Sequence, residues 1–157
     1  MKKLNFLGIG PKIAIVLLPW LAASIILSSI NIRVFKYASE ASIVILTAGI
    51  VLMAAALIFY FSTVRLLLKG LKETRLMTTG PYKYTQNPLY AAIILFIIPA
   101  LSLILNSWLV LTTSFVGYIL FKLFIKHEYE ELEKFFGEDY LKYKSKTSEF
   151  FPLPGKK

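Results

Sequence analysis

The chain has 157 residues, 57% of them hydrophobic, a formal net charge of +9 and no cysteine. Its length suits one domain, but the apolar share is too high for a soluble domain of that size, and a lipid-facing surface accommodates the excess. Disulfides, thiol catalysis and cysteine metal sites are excluded, and a single histidine, His127, excludes a histidine-rich metal centre. The basic residues cluster at the ends of apolar runs, which is membrane-surface placement and not a nucleic-acid footprint.

Gaps between charges predict the elements. Lys12 and Arg33 bracket about twenty uncharged residues, Glu40 and Arg65 about two dozen, and Lys83 and Lys122 about forty, spacings that fit one, one and two membrane helices. The first helix is expected over residues 11–30. Its apolar run follows Lys2, Lys3 and Lys12 as a signal peptide does, but it is long enough to span and lacks a cleavage site, so it reads as a retained anchor. Pro19 lies inside it, tolerable where neighbouring helices re-satisfy the freed carbonyl. The second helix, residues 41–68, carries Ala48, Gly49, Ala54, Ala55 and Ala56, small residues that let helix backbones approach, for internal packing or self-association.

A polar stretch, residues 69–87, then breaks the pattern with the turn-forming cluster Thr78-Thr79-Gly80-Pro81-Tyr82. Helices over 88–105 and 108–125, joined by Asn106 and Ser107, make a tight hairpin. From Lys126 the chain is charged, and Leu132, Phe135, Phe136 and Tyr140 form one apolar stripe that would lie along the membrane surface. The expected fold is therefore all-α: an integral membrane bundle of about four transmembrane helices with a C-terminal amphipathic interfacial helix. It forms one domain, with architectural helices in 1–68 and the loop, hairpin and tail in 69–157. Arg65, Lys69, Lys72, Arg75 and Lys83 mark the loop after the second helix as cytoplasmic, which puts both termini on that side and Arg33 and Lys36, offset by Glu40, outside.

The residues suited to chemistry thus collect at one membrane face, in residues 78–90 and 128–143. Asn87 before Pro88 is a preferred N-cap pair, and the helix start it marks also offers backbone N–H groups to an anionic ligand. Glu128, Glu130, Glu131 and Glu133 read first as a solvated acidic face. Glu128 and Glu131, three apart, share one side of a helix, while Glu130 and Lys134 can pair on another. A carboxylate facing the site would suit the ammonium of a cationic ligand. His127 reads as a polar surface residue. Tyr82, Tyr84 and Tyr90 are either interfacial aromatics or the wall of a pocket.

The order Thr78-x-Gly80-x-Tyr82, five positions to Pro88-x-Tyr90, an uncharged hairpin, Glu128, then Phe136-Gly137-x-x-Tyr140-x-x-Tyr143 and Phe150-x-Pro152 resembles a group of membrane enzymes. That group comprises the isoprenylcysteine carboxyl methyltransferases and phospholipid methyltransferases, and the likeness covers roughly Thr74 to Pro154. The resemblance implies a cytoplasmic-face cofactor pocket closed by the tail, with entry between helices for a lipid-like or prenylated substrate. It implies S-adenosylmethionine contacts at Thr74, Arg75, Leu76, Met77, Tyr82, Asn87, Pro88, Leu89, Tyr90 and Glu128. Gln86 and Asn87 stand where the group usually has Arg-His, Thr74 where it often has His, and Phe124 where a basic residue is expected. Asn keeps the hydrogen bond of a neutral His but carries no charge, which leaves Lys122 or Lys126 to meet an anionic acceptor. An amine or hydroxyl acceptor would need a base, with Glu128, Glu131 or Tyr90 as candidates. Two other readings stay open: a nicotinamide-dependent membrane reductase, since sterol reductases share similar patterns, and a non-catalytic scaffold or lipid-binding protein on the same fold.

Overall fold

A computed structural model of the chain describes residues 8–37 and 42–153. Lys2, Lys3, Glu40, Ala41 and Pro154, on which parts of the sequence reading rest, lie outside the described residues. The described chain is helical throughout: α1 (Gly10–Ile30), a short α2 (Ile32–Phe35), α3 (Ser42–Glu73), a 3-10 turn (Gly80–Lys83), α4 (Pro88–Ala91), a π-helical segment (Ala92–Ile97), α5 (Ile98–Ile104), α6 (Trp108–Phe136) and α7 (Glu138–Lys146). Three helices, Gly10–Ile30, Ile43–Glu73 and Trp108–Phe136, are long and apolar enough to cross a membrane. The rod Pro88–Ile104, built from α4, the π segment and α5, is shorter. At 1.5 Å per residue it reaches roughly 26 Å, close to the hydrocarbon thickness of a bilayer.

α1 starts with Pro11 in its first turn, where a missing N–H costs nothing, and runs on through Pro19. It packs along α6. Trp20 donates to the Thr112 hydroxyl at 3.2 Å, and the Ser28 and Ser107 hydroxyls lie 2.6 Å apart. α3 packs instead on the rod. Gly49 carries that crossing, since a Cβ there would lie 2.9 Å from the Ile104 backbone nitrogen. Among the small residues of α3, Gly49 and Ala56 are buried against the protein, whereas Ala48, Ala54 and Ala55 face outward.

Two boundaries differ from the sequence expectation. α3 continues past Leu68 to Glu73, where Thr74 takes a positive φ of 52° and the Arg75 N–H closes back on the Gly70 carbonyl at 2.9 Å. α6 does not stop at Ile125: residues 126–136 are mostly good helix formers, so the helix runs unbroken to Gly137, whose φ of 56° ends it. Only α7 remains as a separate amphipathic tail helix. The expected stripe is thereby split, with Leu132 and Phe136 packed on the core from α6, Tyr140 buried from α7, and Phe135 exposed.

The core sits between α1, the rod, the inner face of α6 and the tail. An aromatic chain runs through it: Tyr90 to Phe121 at 5.6 Å between ring centres, Phe121 to Phe150 at 4.6 Å, and Phe150 to Tyr118 at 5.1 Å. The outer faces of α1 and α3 expose Ile15, Leu18, Ile43, Val51 and Ile58. That is a surface for lipid tails, not for water.

Candidate functional site

The segment after α3 is stitched to the tail by main-chain and side-chain hydrogen bonds. The Gln86 N–H donates to the Ser148 carbonyl at 2.8 Å, and the Leu153 N–H to the Tyr84 carbonyl at 3.2 Å. The Tyr143 hydroxyl donates to the Tyr82 carbonyl at 2.7 Å, and the Gln86 side-chain amide to the Thr147 carbonyl at 2.7 Å. This network folds residues 140–153 over residues 82–87.

Asn87 occupies the N-cap position of α4, but its side chain makes no cap hydrogen bond. The amide nitrogen donates instead to the Tyr129 hydroxyl at 2.6 Å and to the Glu149 carbonyl at 2.8 Å. The N-cap role assigned to this side chain from sequence is thus replaced by a cross-link between the loop, α6 and the tail. Two partners brought close by the fold take the amide in place of the local backbone.

Between these elements lies a cavity of about 150 Å³. Of the cofactor residues implied by resemblance, Arg75, Leu76, Met77, Tyr82, Asn87, Pro88, Leu89, Tyr90 and Glu128 line it. Thr74 does not; it is exposed and serves the end of α3. Glu131 is on the wall, near His127, whose Nε2 lies 3.5 Å from its carboxylate and forms an ion pair when the imidazole is protonated. Lys126 is exposed away from the cavity, and Lys122 is tied to Glu149 by an ion pair on the outside of the bundle. Glu149 also accepts from Tyr129 at 3.3 Å, so this pair braces the tail.

Glu128 is the electrostatic centre. Its Oε2 accepts from the Ile9 backbone N–H at 3.2 Å and from the Tyr90 hydroxyl at 3.0 Å, both neutral donors. Among the described residues no lysine, arginine or histidine pairs with it. A half-buried carboxylate without a cation is costly unless a positive group completes it. The loop tyrosine Tyr82 is held protonated: burial, reinforced by the Glu128 charge, pushes its hydroxyl well above the ordinary phenol range. Burial does the same to Tyr140, whose hydroxyl is enclosed in the cavity wall and has no hydrogen-bond partner among the described residues. No cluster of metal-ligating side chains occurs among the described residues.

Sequence reasoning missed Gly8, Leu67, Gly70, Leu71, Gln86, Tyr129, Leu132, Phe136, Tyr140 and Tyr143 as cavity residues. For Tyr140 and Tyr143 a signal existed, the Gly-x-x-Tyr-x-x-Tyr run. For Gly8 none did.

With the geometry in place, comparison with known proteins supplies the class. Residues 35–139 match the family model described as phospholipid methyltransferase, and the chain belongs to that family. Together with its three membrane-length helices, this makes it an integral membrane protein, with methyl transfer to lipid-like acceptors as the family's activity. No curated protein and no solved structure matches the chain. The matched region contains Glu128 and the whole 74–90 segment, but neither Gly8 nor the tail beyond residue 139.

Proposed function

We propose that this protein transfers the methyl group of S-adenosylmethionine to a membrane-associated, lipid-like nucleophile, such as a prenylcysteine carboxylate or another small lipophilic acceptor. The observation that carries this reading is Glu128: a half-buried carboxylate with only neutral partners among the described residues, on the wall of a cavity otherwise lined mainly by apolar and aromatic side chains. That donor set suits a ligand with an ammonium at one end and a flat aromatic base at the other. Glu128 would take the ammonium; Leu76, Met77, Tyr82 and Tyr90 would form the wall for the rest, and the Tyr140 hydroxyl, without a hydrogen-bond partner among the described residues, is left to bond a polar ligand atom.

S-adenosylmethionine, when bound, supplies an electrophilic methyl group whose in-line displacement neutralises charge. The residues therefore need to position and to dry the site. A carboxylate acceptor requires no base. The folded-back tail, held by Tyr143, Gln86 and Asn87, supports this by covering the loop. The basic loop, with Lys69, Lys72, Arg75 and Lys83, supports a cytoplasmic site under the positive-inside rule, with both termini on that side.

Calorimetry on the detergent-solubilised protein tests the reading with S-adenosylmethionine, S-adenosylhomocysteine and NADPH. Both adenosyl ligands should bind and NADPH should not. Binding of NADPH alone would favour a reductase, and absence of binding by all three a scaffold. Transfer of a radiolabelled methyl group to material in a membrane extract would then identify the acceptor.

A further inference from the structure

Glu128 is tied down by a part of the chain far from it in sequence. Ile9 is only 2% exposed and packs in the core beside Ile13 and Ile125, while its backbone N–H points at Glu128 Oε2, 3.2 Å away. Gly8, just before it, lies on the cavity wall with φ +49°, a region that side chains other than glycine's seldom adopt. A Cβ at position 8 would stand 2.5 Å from Glu128 Oε2 and 2.9 Å from the Tyr90 hydroxyl. At Gly10, two residues on, a Cβ would meet nothing within 4 Å.

We propose that the Gly8–Ile9 turn is the positioning element of the ligand site: it holds one oxygen of Glu128 so that the other, Oε1, is aimed at the ligand's ammonium. The inference rests on the adenosyl-ligand reading above. Oε2 is taken up by the Ile9 N–H and the Tyr90 hydroxyl, and Oε1 has no partner among the described residues. A carboxylate on a long side chain loses rotamer freedom when it binds, and a turn that orders it beforehand removes that cost from the binding step. Glycine is required at position 8 because any side chain would occupy the space of the carboxylate. This element lies outside the family-matched residues 35–139.

The test separates positioning from simple helix support by using two ligands. S-adenosylhomocysteine carries the amino-acid ammonium, and 5′-methylthioadenosine lacks it. Gly8→Ala should weaken S-adenosylhomocysteine on the order of tenfold, the scale of a hydrogen bond to a charged group, and leave 5′-methylthioadenosine unchanged. Gly10→Ala should change neither. Equal loss of both ligands with Gly8→Ala, or loss of neither, overturns the inference. If the unmutated protein binds neither adenosyl ligand, the functional reading itself fails, a result distinct from the previous two. Should Gly8→Ala not fold, the tie is read directly from the Ile9 amide proton of ¹⁵N-labelled protein in micelles: Glu128→Gln should shift it, and an unmoved resonance overturns the inference.

Discussion

Helices α3 and α6 both outrun a bilayer, yet they end in opposite ways. With 32 and 29 residues they extend roughly 48 and 44 Å, against about 30 Å of hydrocarbon. Along α3, burial is sparse, with Gly49, Ala56, Thr63 and Gly70 as its isolated buried positions, and the overhang carries exposed Lys69 and Lys72. Along α6, Val110, Thr113, Gly117, Phe121, Ile125 and Tyr129 form one buried stripe at spacings of three and four residues. That stripe leaves the apolar stretch without interruption and delivers Tyr129 and Glu128 to the cavity. The contrast teaches that the site is a continuation of core packing on one helix, while the other helix supplies a lipid-facing wall along most of its length and lends Leu67, Gly70 and Leu71 to the cavity at its end.

The contrast is most exposed to refutation at the aromatic core. Phe121→Ala, at a 0% exposed position, should cost about 3–5 kcal/mol of unfolding free energy in detergent, whereas Phe61→Ala, 56% exposed on α3, should stay within about 0.5 kcal/mol. Comparable losses in the two variants would erase the distinction. Next in size, Glu128→Gln should raise the dissociation constant for S-adenosylhomocysteine roughly tenfold to a hundredfold by calorimetry, with the melting temperature little moved. A large drop in melting temperature with unchanged affinity would recast Glu128 as a structural residue. Asn87→Ala removes one hydrogen bond from the Tyr129 hydroxyl, which keeps the Glu149 carboxylate, and one from the Glu149 carbonyl, which keeps the Thr85 hydroxyl, and should cost about 1–3 kcal/mol of stability, read from denaturant unfolding.

Smaller still is the expected effect at the exposed Lys122–Glu149 pair. Lys122→Ala should cost less than about 1 kcal/mol and leave S-adenosylhomocysteine affinity alone, because surface ion pairs are well screened. Finally, the absence of native cysteine makes orientation simple to check. In sealed, right-side-out vesicles, a membrane-impermeant maleimide should label Lys36→Cys and not Lys83→Cys. The reverse pattern would invert the assigned topology.

Much of this molecule was legible as sequence because two strong signals dominate it. Long uncharged gaps located the apolar helices, and the hairpin turn at Asn106 and Ser107 necessarily brings the 74–90 segment near Glu128. Helix ends were harder to read. Charge after Ile125 looked like a boundary, but charged residues with high helix propensity extend a helix as readily as apolar ones, and it took a glycine at positive φ to stop α6. Asn87 illustrates a tertiary override, its local cap preference displaced by Tyr129 and Glu149. Gly8 was invisible for another reason: its role depends on a carboxylate at position 128 in contact with it through space, and no local pattern records such a contact.

The π-helical turn at Ala92–Ile97 leads into Pro99, which has no N–H to offer the carbonyl of Leu95 and crowds it. In terms of register, a wide turn of this kind holds a residue more than an α-helical path between the same points, and each residue of an α-helix turns its neighbours by about 100°. The rod is thus two helices indexed differently on one axis: the α5 end is phased to α3 and α6, the α4 end to Glu128. Deleting one residue within 92–97 would bring both ends to a common phase and rotate Tyr90 off its carboxylate partner.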